Sequence, residues 1–178
     1  KLVGDLIFKT IRNKNNIGAG PSRLVGIKKA SGRFICFLDS DDIWMPNKLD
    51  KQINYMLKNS VCFSWTGFAF ANSNLVNLGI YMPNNSSSYL SFITKYFTIG
   101  CLTAVYDRKF INDPKNAFLK LRNDYQMWYD LFCQIRSNKK LIAKPCHFVS
   151  AIHRVHDKSL TSSKFKSAFY WWKYLKTT

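Results

Sequence analysis

Glutamate is absent from this 178-residue chain: all ten acidic residues are aspartate, set against 27 lysines and arginines, for a formal net charge of +17. Such a field attracts nucleic acid, anionic lipid or phosphorylated small molecules, and charge alone does not choose among them. No run of 18 or more apolar residues occurs, so no segment reads as a membrane-spanning helix. The five cysteines (Cys36, Cys62, Cys101, Cys133 and Cys146) are odd in number, widely spaced and without a CxxC pair. That pattern disfavours a disulfide frame or a zinc site and fits free thiols in a reducing compartment. Repeats, low-complexity tracts and linkers are also missing. The chain opens on Lys1 without a charged-then-apolar leader, and it reads as a piece of a longer protein.

What is present is a globular composition. A hydrophobic content of 47% with 16% aromatics excludes disorder and allows one domain, residues 1–178, with its own core. Ile7–Arg12 alternates like a strand, Asn13–Gly20 is a polar loop, and Pro21 is suited to open a helix ending near Ser31-Gly32. Arg33–Leu38 is a continuous apolar run, the pattern of a strand buried on both faces in a parallel sheet. A helix follows Pro46 to about Lys58, then strands over Val61–Ala71 and Leu75–Tyr81 and a short helix over Tyr89–Tyr96. Trp128, Leu131, Phe132 and Ile135 share one face of a helix starting near Asp124, and Leu141–Lys144 and Phe148–Val155 read as two more strands. Residues 163–178 form an amphipathic C-terminal helix whose aromatic face either covers the sheet or touches anionic lipid. Alternating strands and helices indicate an α/β fold with a mostly parallel sheet flanked by helices.

Three of the ten aspartates, Asp39, Asp41 and Asp42, crowd into four positions directly after the apolar run. Ligands of open α/β sheets bind beyond the carboxyl ends of strands. Negative charge concentrated against its own repulsion points to a cation, and oxygen ligands suit Mg²⁺ or Mn²⁺ with substrate phosphate in the shell. An EF-hand would need Gly where Trp44 stands, and an aspartyl-phosphate phosphatase would need a hydroxyl where Ile43-Trp44 stands. A solvated acidic turn or a helix cap explains one of the aspartates but not three.

The ordered series Asn16-Ile17-Gly18, Pro21-Ser22-Arg23, Gly26-Ile27, Ala30–Ile35, Leu38–Trp44, Pro46, Lys48-Leu49 and Gln52 resembles the central block of family-2 glycosyltransferases. Ile99–Thr103, Asn123-Asp124-Tyr125 with Trp128, and Arg154-Val155-His156 with Ser159 continue the resemblance along nearly the whole chain. It looks closest to bacterial enzymes that build teichuronic acid or capsular polysaccharide. The resemblance implies a GT-A fold lacking its first strands, with the N-terminal nucleotide-binding part missing. It implies a nucleotide-diphospho-sugar donor and a glycan or lipid-linked acceptor. The site would lie in the cytoplasm, at or near the inner face of the cell membrane. By the same likeness Asp39 and Asp41 form a DxD motif holding the donor through a metal, Arg23 faces the nucleotide, and Asp124 is the base of an inverting transfer. The family's usual Asn after the arginine is Leu24 here, and its usual Glu before the base is Asn123.

The chemistry agrees with those roles. A leaving diphosphate needs neutralising by a cation with Arg and His donors, for which Arg154 and His156 are placed, and the attacking hydroxyl needs a carboxylate. Arg23 could otherwise be a solvated charge and Asp124 a helix cap, while His153 reads as packing within a strand. Two other functions fit less well. A nucleic-acid-binding module has no use for the acidic cluster, so no specific nucleic acid is expected as a partner. A catalytically inactive partner subunit would not need Asp39, Asp41 and Asp124 together.

Overall fold

The computed structural model describes residues 7–84, 99–119 and 121–155. Ile7–Arg12 is not a strand there: Ile7 and Phe8 are exposed, because no described strand lies beside the segment to satisfy its backbone. Helix α1 spans Ala19–Lys29. Its start is tied to the preceding loop: Asn16 Oδ1 accepts from Gly18 N–H and Asn13 Nδ2 donates to Ser22 Oγ. Pro21 sits in the first turn, where a missing N–H costs nothing. Gly32 does not close the helix in a left-handed conformation. Instead Arg108 donates to the carbonyls of Ile27 in the last turn, of Ala30 at the cap and of Gly32 beyond it.

Strand β1 covers Phe34–Cys36, β2 Ile43–Trp44, helix α2 Lys48–Lys58, β3 Phe63–Ala71 and β4 Asn77–Tyr81. A 3-10 turn at Cys101–Thr103 leads into β5, Val105–Asp107, and helix α3 runs over Asn123–Ser137. Strand β6, Ala143–Arg154, is one long element where two pieces were expected, with its register shifting opposite Thr66–Phe68. The helix expected over Tyr89–Tyr96 and the one over 163–178 lie outside the described residues.

The sheet runs β1-β5-β3-β6-β2, with β4 on β3. It is mixed, which corrects the expectation of a mostly parallel sheet: of its five described pairings only β3 with β6 is parallel. The apolar run at β1 is indeed covered on both faces. Ile35 and Phe37 pack with α1 and α3, while Phe34 and Cys36 pack with Met56 of α2. Two-sided burial reports the helices above and below a strand, not the direction of its neighbour. The α/β class therefore holds while the pairing differs.

The larger core lies between the sheet and the α1–α3 layer, where Phe63, Trp65, Trp128 and Phe132 interleave at ring centroid distances of 5.4–6.1 Å. Gly20 is where the two helices close on each other. A Cβ there would stand 1.9 Å from the Ala117 carbonyl oxygen and 2.7 Å from Asn123 Cβ. That close approach brings the first turn of α1 beside the start of α3.

Candidate functional site

Beyond the carboxyl end of β1, the chain turns through Asp39–Asp42, closed by an Asp42 N–H bond to the Asp39 carbonyl at 3.0 Å. The three carboxylates have different surroundings. Asp39 is gripped by Arg23 Nη2 at 2.6 and 2.8 Å. Asp41 is exposed, and its backbone carbonyl accepts from Arg154 Nε. Asp42 is inward, its side chain 4% exposed, and its Oδ1 meets His153 Nδ1 at 3.0 Å and the Arg154 N–H at 3.2 Å. Sequence reasoning grouped the three; the fold gives each its own task.

Arg23 joins the two halves of the site. Its Nη1 donates to Asn123 Oδ1 at 2.5 Å while Nη2 holds Asp39, so α1 ties the acidic turn to the start of α3. Burial disfavours its charge, but the Cys101 sulfur, Asp39 and Asp124 outweigh burial and hold the guanidinium above its usual pKa. Asp124, the neighbour of Asn123, is half-buried in the first turn of α3, and its Oδ1 accepts from Tyr125 N–H at 3.0 Å. It does not cap the helix: Arg122 occupies that position with a left-handed backbone, φ 62°. Nor does the helix start dominate its charge. Burial raises the Asp124 pKa, with Arg23, the Tyr125 N–H and Arg122 opposing. A carboxylate shifted upward is a better proton acceptor near neutral pH than an ordinary aspartate.

Three residues of this site were not visible as such in the sequence. Cys101 reads as a core thiol, yet it lies within electrostatic reach of Arg23, Asp124, Asp39 and Asp42, with burial holding its pKa well above normal. His153 reads as strand packing, and it does contact the Phe68 and Phe70 rings at 6.2 and 5.9 Å. Its Asp42 bond, however, raises its pKa against the opposing effect of burial. Asn123 departs from the Glu often found there in the family, and it is the partner of Arg23. No signal within its own helix could have shown this, since Arg23 lies 100 residues upstream. Arg154 is in the site, bracing the acidic turn from β6, and His156 lies outside the described residues.

A cleft of about 390 Å³ is lined by α1, β1 and the residues just after β1, among them Arg23, Ile27, Ile35, Phe37 and Asp39. Among the described residues, no three His, Cys or Asp side chains converge as a protein-built metal cage. A hard cation that keeps water and substrate phosphate in its shell needs only one or two carboxylates, and this turn supplies them. Asp41 is exposed there, and Asp39, though bonded to Arg23, retains acceptor capacity on its oxygens.

The model of glycosyl transferase family 2 matches residues 2–123. WfgD of Escherichia coli, named as a UDP-Glc:alpha-D-GlcNAc-diphosphoundecaprenol beta-1,3-glucosyltransferase, is 36% identical over 91% of this chain and 61% of its own length. TuaG of Bacillus subtilis, named as a candidate teichuronic acid biosynthesis glycosyltransferase, is 30% identical over 89% of this chain and 61% of its own. Among solved structures, S. aureus TarS residues 1–349 in complex with UDP-GlcNAc superposes with a TM-score of 0.56 at 16% identity, over 82% of this chain and 41% of that one. That likeness shows the GT-A fold. The chain spans about three fifths of the length of these two sequence relatives.

Proposed function

Because the chain belongs to glycosyl transferase family 2, we propose that its protein transfers a sugar from a nucleotide-diphospho-sugar to a hydroxyl of a lipid-linked saccharide. The observation that carries this reading is the Arg23 bridge, one guanidinium spanning Asp39 in the cleft lining and Asn123 beside Asp124. That link between the acidic turn and the start of α3 supports a reading in which the turn faces the donor phosphates and Asp124 the acceptor. The names of the relatives support a UDP-sugar as donor and a diphosphoundecaprenol-linked acceptor, and so a working place at a membrane surface. No described helix is long and apolar enough to cross a membrane.

In this reading the transfer inverts the anomeric centre. The acceptor oxygen bonds to C1 as the C1–O bond to phosphate breaks, the proton passes to Asp124, and the nucleoside diphosphate leaves with the electron pair. Arg23, freed in part from Asp39, and Arg154 stabilise the phosphate oxygens. Asp41, with Asp39 beside it, would hold Mn²⁺ or Mg²⁺, which neutralises charge on the leaving diphosphate. His156 is proposed as a further phosphate contact from the likeness of Arg154-Val155-His156 to the family.

The test is transfer by the full-length protein from UDP-glucose and UDP-GlcNAc to GlcNAc-diphospho-undecaprenol, with Mn²⁺ and again with EDTA. The expected result is a product of inverted configuration, formed only with metal. Neither transfer nor donor hydrolysis from any nucleotide sugar would leave the inactive-subunit reading standing.

A further inference from the structure

Lys48 breaks the local rules for lysine. It is the first residue of α2, at the positive end of the helix dipole, and is only 2% exposed. Among the described residues no carboxylate pairs with it. Burial pushes its amine down to about 8, with the nearby Cys36 sulfur opposing. A methionine of similar length would fill the same space without a desolvation penalty. Residues retained against local preference tend to sit at functional positions.

Its contacts show what it organises. The Lys48 Nζ donates to Gln52 Oε1 at 2.9 Å, which orients the amide so that Gln52 Nε2 donates to the Thr103 carbonyl, also at 2.9 Å. The same ammonium lies over the Trp44 ring, 4.8 Å from its centre, and Trp44 Nε1 donates to the Leu102 carbonyl at 2.8 Å. Two successive carbonyls of the Cys101–Thr103 turn are thus held from α2 and β2, and both holders touch Lys48. Trp44 stands two residues after the acidic turn, and Cys101 is within electrostatic reach of both Asp39 and Asp124.

We infer that Lys48 is a positioning residue, which locks Gln52 and Trp44 onto the Cys101–Thr103 turn and so sets that turn between the donor and acceptor sides of the site. The inference rests on the glycosyl-transfer reading. It requires the lost geometry to slow the chemical step more than donor binding, since a misplacement of about 1 Å can cost ~10²-fold in rate.

The experiment compares full-length wild type, Lys48→Met, Gln52→Met, their double variant and Trp44→Phe, by steady-state transfer and by amide hydrogen exchange. Each single variant should lower kcat by about 10- to 100-fold with the donor KM within about twofold. The double variant should be no slower than the worse single, because the residues act as one unit. Exchange at the Thr103 and Ala104 amides, bonded to Gly100 and Cys101 carbonyls, should rise in the variants while the α3 core stays protected. Wild-type kcat in the folded variants, multiplicative losses in the double, or unchanged exchange at Thr103 and Ala104 would overturn the inference. If Lys48→Met does not fold, Gln52→Met and Trp44→Phe decide by the same criteria. An inactive wild type would count against the glycosyl-transfer reading, and the exchange pattern would still judge Lys48.

Discussion

Arg23 holds both carboxylate oxygens of Asp39, at 2.6 and 2.8 Å, and so connects a helix to the end of a strand sixteen residues further on. A lysine could carry the charge but not the fork. Arg23 also lowers the pKa of Asp124, against the larger effect of burial. Removing it in Arg23→Met should let the Asp124 pKa climb further. The acid limb of kcat/KM should then move to higher pH, alongside weaker donor binding. An unmoved acid limb would show that Asp124 is not the group titrating in that limb.

Asp124→Asn tests the base directly. The helix cap is Arg122, so the substitution leaves the cap alone and removes the proton acceptor together with its charge toward Arg23. Folding and donor binding should be retained while turnover falls by ~10²–10⁴. Near-normal turnover at saturating acceptor would move the base role elsewhere.

Asp41→Asn should abolish metal-supported donor binding, read by calorimetry with and without Mn²⁺, and leave the melting temperature almost unchanged. The side chain is exposed at a strand end, so little packing depends on it. Asp42→Asn should behave differently, since that carboxylate anchors the turn to β6.

The Asp42–His153 pair gives a pH dependence with a definite sign. Bonding to Asp42 raises the His153 pKa, with burial opposing and the Asp42, Asp41 and Asp39 charges adding to the rise. A raised histidine pKa contributes stability that is complete below the unfolded value of about 6.5 and is lost as pH climbs through the folded value. The His153 ring should therefore titrate above ordinary histidine in an NMR series. In Asp42→Asn it should titrate lower, and the pair's stability contribution should vanish.

Two glycines of α1 separate packing from propensity. Gly20→Ala drives a methyl group into the Ala117 backbone and should destabilise by about 1–3 kcal/mol or more. Gly26→Ala meets nothing within 4 Å and should stabilise the helix by roughly 0.5–1 kcal/mol. Melting temperatures moving in opposite directions would confirm the contact; equal shifts would refute it.

Much of the fold was legible because local pattern reflects local environment. The spacing of Leu49, Ile53 and Met56 marks α2, Trp128, Leu131 and Phe132 mark α3, and the apolar run before Asp39 marks a strand ending at an acidic turn. The family likeness named Arg23, Asp39 and Asp124, and the fold brings them within electrostatic reach of one another. Tertiary structure alone decided three things. The β1 run is apolar whether its neighbour is parallel or antiparallel, since helices cover both faces, so pairing with β5 could not be read from it. His153 alternates like any strand residue, and its proton affinity is set by Asp42, 111 residues earlier. Lys48 stands in the sequence only as part of the family likeness, and its burial against Trp44 and Gln52 is set by the fold. Composition and periodicity constrain which face a residue presents; the partner waiting on that face belongs to distant chain and appears only when the layers close.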